Sequence, residues 1–132
     1  MAGHLSLDPK NILISAAGSL TDPVLLTFDQ SSSVTLTVHP DAITGTLNTG
    51  TAVSLQANND LTVDADIIVE RNFGDGGTLT LQAGRSVILN ADIVTDDGNL
   101  FIIANETLAA GVIDAQRDPG NAVFIMNPGA LI

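Results

Sequence analysis

The chain has 132 residues, enough for one domain with a core of its own, and it carries no cysteine for disulfide or thiol chemistry. Hydrophobic residues make up 45% but aromatics only 3%, with neither Trp nor Tyr, so the core has to be built from Val, Leu, Ile and Ala. Fifteen acidic residues against four basic ones give a net charge of −11, a field that disfavours nucleic acids and anionic membrane surfaces.

The opening MAGHLSLDPK lacks the basic start and apolar run of a signal peptide. Leu5-Ser6-Leu7-Asp8-Pro9 and Leu36-Thr37-Val38-His39-Pro40 share one pattern, thirty-one residues apart, and continue to Ile12 and Ile43. Ser15 to Ser33 is compatible with a further coil or an added hairpin. Val53 to Leu55, Leu61 to Val63, Leu79 to Leu81 and Val87 to Leu89 alternate apolar with polar at period two, as half-buried strands do. Turn formers separate them: Asn58-Asn59-Asp60, Asp75-Gly76-Gly77, Asp96-Asp97-Gly98-Asn99 and Asp118-Pro119-Gly120-Asn121. No window carries the apolar spacing and caps of a helix, and Asn105 to Gly111 suffices for one turn at most.

VSLQANNDLTVDADI from Val53 returns as LTLQAGRSVILNADI from Leu79, twenty-six residues on. Leu55/Leu81, Gln56/Gln82, Ala57/Ala83, Ala65/Ala91, Asp66/Asp92 and Ile67/Ile93 coincide. Gly98-Asn99-Leu100 then restarts Gly77-Thr78-Leu79, placing Leu79, Leu81, Ala83 and Val87 on Leu100, Ile102, Ala104 and Leu108. A restart at Gly120-Asn121 puts Val123 and Ile125 on Leu100 and Ile102. An antiparallel sandwich also gives short strands and frequent turns, but it offers no reason for residue-by-residue recurrence. Stacked coils do, because equivalent positions lie on one another. The expected fold is all-β, a parallel β-helix (β-solenoid) of about six coils at roughly 22 residues each, about 29 Å tall.

The strings NNDLTVDADI, GGTLTLQAGRSVILNADI, GNLFIIANE, DAQRDPGNAVFIMNPGALI and LSLDPKNILI resemble the filamentous-haemagglutinin family of large bacterial exoproteins, many exported by two-partner secretion. The resemblance covers most of the chain. It implies a right-handed parallel β-helix within an extracellular adhesin shaft, serving adhesion, aggregation or biofilm formation at a secreted or bacterial cell-surface location. Asn127-Pro128-Gly129 lacks the second Asn of the family's secretion motif, so that role is not carried over. Residues 1–132 are expected to be one module of a longer repetitive exoprotein, with 1–4 as linker.

Candidate chemistry is sparse. Asp66 over Asp92, beside Asp64 and Asn90, could hold calcium through oxygen ligands. With Arg85 the same carboxylates would resemble the acidic clusters of β-helix polysaccharide lyases, the alternative reading as a carbohydrate-active or carbohydrate-binding protein. Solvated turn carboxylates are the simpler account. The calcium-binding GGxGxDxUx repeat is absent. His4 and His39 show no triad or metal-ligand spacing. The Thr pairs 35/37, 44/46, 49/51 and 78/80 suggest an ice-binding array but do not recur at one coil position. Phe101 and Phe124 are expected to stack as a ladder, and Gln56 on Gln82 as an amide ladder along the axis. No catalytic, cofactor-binding or metal-binding residue is assigned. The expectation is a non-enzymatic structural module whose partner is itself, end to end as dimer or filament, with Ala122 to Ile132 as the joining edge.

Overall fold

The computed structural model describes the backbone of residues 4–7 and, in full, residues 9–18, 35–107 and 112–132. Strands dominate: β1 (His4–Leu7), β2 (Asn11–Ile14), β3 (Thr35–Val38), β4 (Ala52–Ala57), β5 (Leu61–Val63), β6 (Ile67–Ile68), β7 (Leu79–Ala83), β8 (Val87–Leu89), β9 (Ile93–Val94), β10 (Leu100–Ile103) and β11 (Phe124–Met126). One helix, α1 (Pro40–Leu47), and a 3-10 turn at Asp114–Gln116 complete the described elements.

The strands form three sheets, ordered β1-β4-β7-β10, β3-β2-β5-β8-β11 and β6-β9, and every described pairing is parallel. From β4 onward successive strands visit the sheets in turn, so the chain climbs in layers, whereas β2 and β3 both join the second sheet. The twenty-six-residue shift is the register itself: Val53 pairs with Leu79, Leu55 with Leu81, Leu61 with Val87 and Ile67 with Ile93. Ile93 N donates to Leu131 O at 2.9 Å, the same offset by which Ile67 N donates to Asp92 O. Leu131–Ile132 therefore lies on β9 as β9 lies on β6.

Alternation does the packing. Leu55, Leu61, Val63, Ile67, Leu81, Val87 and Leu89 are fully buried, and the intervening side chains face outward. Each fully buried Leu, Ile or Val contributes about 1.5–3 kcal/mol. Layers approach so closely at the corners that a Cβ on Gly77 would sit 2.0 Å from Thr51 O, and one on Gly84 2.1 Å from Asn58 O. Glycine is demanded there by contact between layers.

Several expectations need correction. Pro40–Leu47 is a helix, and it does carry apolar residues at i, i+3 and i+7 in Pro40, Ile43 and Leu47. His39 caps it, its Nδ1 accepting from Asp41 N at 3.1 Å, with Pro40 in the first turn. Thr44, Gly45 and Thr46, poor helix formers, conceal the signal; burial of Ala42, Ile43 and Leu47 in the core supplies what propensity lacks. α1 packs against β4 and β6, taking the place of a strand of the third sheet.

The thirty-one-residue correspondence does not stack, because β1 belongs to the first sheet and β3 to the second, and Ile43 is helical. β11 lies on β8, not β10: Phe124 pairs with Val87, Ile125 with Ile88 and Met126 with Leu89. Val123 and Ile125 thus do not lie on Leu100 and Ile102, and Phe101 and Phe124 make no ladder. The expected restart at Leu100 is correct, with Leu100 on Leu79 and Ile102 on Leu81. Its continuation to Leu108, most of Ser15 to Ser33 and the end of the Asn105 to Gly111 stretch lie outside the described residues. Sheets of four, five and two strands stand where about six coils were expected, since α1 and the strandless run 112–123 are not layers of strands.

Leu81→Ala should lower unfolding stability by about 2–5 kcal/mol in urea denaturation, the cost of a cavity in a layer that cannot collapse onto its neighbours. Ser54→Ala, on the outward face of β4, should change it by less than about 0.5 kcal/mol.

Candidate functional site

Two corners carry ladders in which a side-chain oxygen accepts from the backbone N–H of the equivalent residue one layer on. In the corner between the second and third sheets, Asp92 N donates to Asp66 Oδ1 at 2.9 Å, and Leu131 N donates to Asp92 Oδ1 at 3.0 Å. Beside it Asn90 Nδ2 donates to Asp64 Oδ1 at 2.7 Å, and Asn127 Nδ2 to Asn90 Oδ1. The expected stacking of Asp66 on Asp92 is thus present, but one oxygen of each carboxylate is engaged by backbone. Arg85 is not there. It lies in the preceding corner, between β7 and β8, so the lyase-like grouping is not assembled. Among the described residues no three His, Cys, Asp or Glu side chains are grouped to hold a metal ion.

The corner between the first and second sheets holds a polar network that the sequence reading missed. Asp60 N donates to Asn11 Oδ1, Ser86 N to Asp60 Oδ1 and Val123 N to Ser86 Oγ, at 3.1–3.2 Å. Arg85 forks onto Asp60, Nε to Oδ1 at 2.9 Å and Nη2 to Oδ2 at 2.5 Å, and its Nη1 donates to Pro119 O at 2.8 Å. Buried Asn59 ties in Asp118, giving Nδ2 to Asp118 Oδ2 at 3.1 Å and accepting Asp118 N at Oδ1 at 2.9 Å. Lys10 Nζ lies 2.9 Å from Asp118 Oδ1. The hydrogen bond from Lys10 holds the Asp118 carboxyl below the usual carboxylate range, and the bond to Asp60 raises the Arg85 guanidinium further above its ordinary value. One signal was available: the pairing that sets Ile12, Leu61 and Val87 in a column sets Lys10, Asn59 and Arg85 in another. A groove of about 350 Å³ runs past Asn11, Thr35, Asp60, Arg85 and Asp118. Its charges already satisfy one another, so it serves as a clasp between layers.

The remaining candidates resolve individually. Gln56 Nε2 donates to Gln82 Oε1 at 2.7 Å and Gln82 Nε2 to Glu106 Oε2 at 2.9 Å, the expected amide ladder extended by a carboxylate. His39 is a helix cap, and the side chain of His4 lies outside the described residues. Thr44 and Thr46 are helical, while Thr37 and Thr62 alternate with Leu13 and Ile88 up one face, so no flat Thr array exists among the described residues. Phe73 is 86% exposed at the tip of the loop 70–75, below which Arg71 Nη1 donates to Asp75 O at 2.8 Å.

The final layer differs from all of these. By register Phe124 and Met126 point inward above Val87 and Leu89, yet they are 47% and 41% exposed, whereas Val87 and Leu89 are fully buried. Leu131 and Ile132 are exposed beside them. Among the described residues no further strand lies over this row, which falls within Ala122 to Ile132. No protein-family model, curated protein or solved structure matches the chain.

Two outcomes follow from the corner chemistry. Asp92→Asn retains an acceptor for Leu131 N and should leave the urea midpoint nearly unchanged, while Asp92→Leu should cost about 1 kcal/mol. Asp118, with its lowered pKa, favours folding above the ordinary carboxylate value and loses that contribution as pH falls through its folded value. Lys10→Met should therefore flatten the fall in urea midpoint between about pH 5 and pH 2.

Proposed function

We propose that this chain is a non-enzymatic structural and interaction module. It is a segment of a right-handed parallel β-helix that forms part of an extracellular adhesin shaft at a bacterial surface, and its open layer joins it to a copy of itself. The observation that carries the reading is the inward apolar row of Phe124 and Met126, left bare at the end of parallel ladders whose lower rows are sealed. Burying such a row and pairing the free edge of β11 removes apolar surface from water and satisfies backbone groups together. The resemblance of the sequence to filamentous haemagglutinins supports the shaft.

The corner ladders support the same role, because side-chain oxygens locked onto the next layer make a stiff spacer rather than a flexible arm. The acidic surface keeps such a spacer from collapsing onto anionic neighbours. Carboxylates committed to backbone donors are poorly placed for glycan chemistry.

Wild-type chain in light scattering should gain mass with concentration, and the double variant Phe124→Asp/Met126→Asp should stay monomeric with an unchanged far-ultraviolet circular dichroism spectrum. A wild type that remains monomeric at millimolar concentration would remove the reading.

A further inference from the structure

The sides of the stack differ in charge. None of the eleven described strands contains Asp, Glu, Lys or Arg, so the charges sit at corners and in connections. The corner between the first and second sheets neutralises its acids, Arg85 lying on Asp60 and Lys10 on Asp118. Around the third sheet it is otherwise: Asp66, Glu70, Asp92 and Asp96 form no ion pair with a described residue. β6 and β9 are two residues long, so these acids close in on a single outward column, Ile68 paired with Val94. The two side chains are 44% and 47% exposed, while Ile67, Val69 and Ile93 between them and the core are buried. Period two turns Asp66, Glu70 and Asp92 outward as well. Asp96 ends the second row at a turn, where its Oδ2 accepts from Arg71 N at 2.6 Å.

We infer that this third face docks a cationic amphipathic segment of a partner protein, one whose apolar side chains are flanked on both sides by Lys or Arg. The face is an exposed apolar column between carboxylates, on a flank of the stack rather than at an end. Ile68 and Val94 lose water against the partner's apolar side chains. Asp66 and Asp92 on one side, and Glu70 and Asp96 on the other, meet its cations with no ion pair of their own to break. Long Lys and Arg stems suit this arrangement, because they cover apolar surface while carrying their charge to the rim.

The loop beyond Glu70 adds to the fit. Glu70 and the exposed Phe73 line one groove of about 390 Å³, where a carboxylate and an aromatic face attract a cation together. Arg71 also borders the groove but is turned back into its own loop, its Nη1 donating to Asp75 O at 2.8 Å. A partner rich in carboxylates is repelled by the same columns. So is a second copy of this chain, with its net charge of −11. Two apolar anchors inside an acidic rim make a weak contact that salt loosens.

The probe is a labelled helical peptide of Leu and Lys, its leucines in one stripe and its lysines on both sides, titrated with the full chain in fluorescence anisotropy. A scrambled peptide of the same composition and an oligolysine of the same charge are the controls. Binding of the striped peptide should weaken severalfold as salt rises from about 0.05 M to about 0.5 M. Ile68→Ser/Val94→Ser alters no charge and should weaken it about tenfold, with the far-ultraviolet circular dichroism spectrum unchanged. Glu70→Gln should weaken it severalfold, and Phe101→Ser, on the first sheet, should leave it as it was. Oligolysine or the scrambled peptide binding as tightly as the striped one would overturn the inference, since charge alone would then account for the contact. Wild-type affinity in the double variant would overturn it for the same reason. Absence of binding by the striped peptide would overturn it outright. None of these results bears on the self-association proposed above, which concerns an end of the stack.

Discussion

Everything in this molecule depends on one-to-one register between parallel strands of successive layers. The backbone ladder fixes spacing, but side-chain period two makes its register a choice between two faces, and a slip of one residue would turn every buried Leu and Val outward. The corners make that slip costly. Asp66 accepts from Asp92 N, and Asn11, Asp60 and Ser86 each accept from the residue one layer on. A shifted layer would lose these bonds as well as its core row.

The same constraint explains the composition. A row that must sit on an equivalent row favours branched aliphatics of similar size, which is why Val53 meets Leu79, Leu61 meets Val87 and Ile67 meets Ile93. Aromatics are few, four Phe in the chain, and Phe73, Phe101 and Phe124 are exposed. Acidic residues collect at corners because an oxygen there meets a free N–H from the layer above. Much of the chain's acidity in those columns is structural, with Arg85 and Lys10 offsetting it where Asp60 and Asp118 lie close.

Repetition has a consequence at its ends. Any layer leaves an apolar row and an unpaired edge for the next, and the chain treats its two ends differently. A helix with a polar outer side lies at one, and an uncharged bare row lies at the other. The self-association proposed above would be a continuation of folding, driven by the same burial and the same ladder.

Residue-for-residue recurrence made the central layers legible, because strands that stack directly must repeat their apolar positions. Val53 to Ile67 on Leu79 to Ile93 was read correctly, as was Asp66 over Asp92. Which sheet an isolated strand joins was not legible. All three faces use the same apolar alternation, so Phe124 to Met126 suits the first sheet as well as the second, and only the path of the intervening chain sends it to β8. The helix at Pro40 was hidden for a related reason: Thr44, Gly45 and Thr46 oppose it locally, and only packing on β4 and β6 repays them. Arg85 and Asp60 meet diagonally between layers, a relation that spacing along the chain does not display. The sequence by itself determined the period, the core rows and the acid-lined corners, since these are local alternation repeated. The tertiary structure decided the partners across corners and the sheet that each strand joins, since both depend on where the chain returns after leaving the stack.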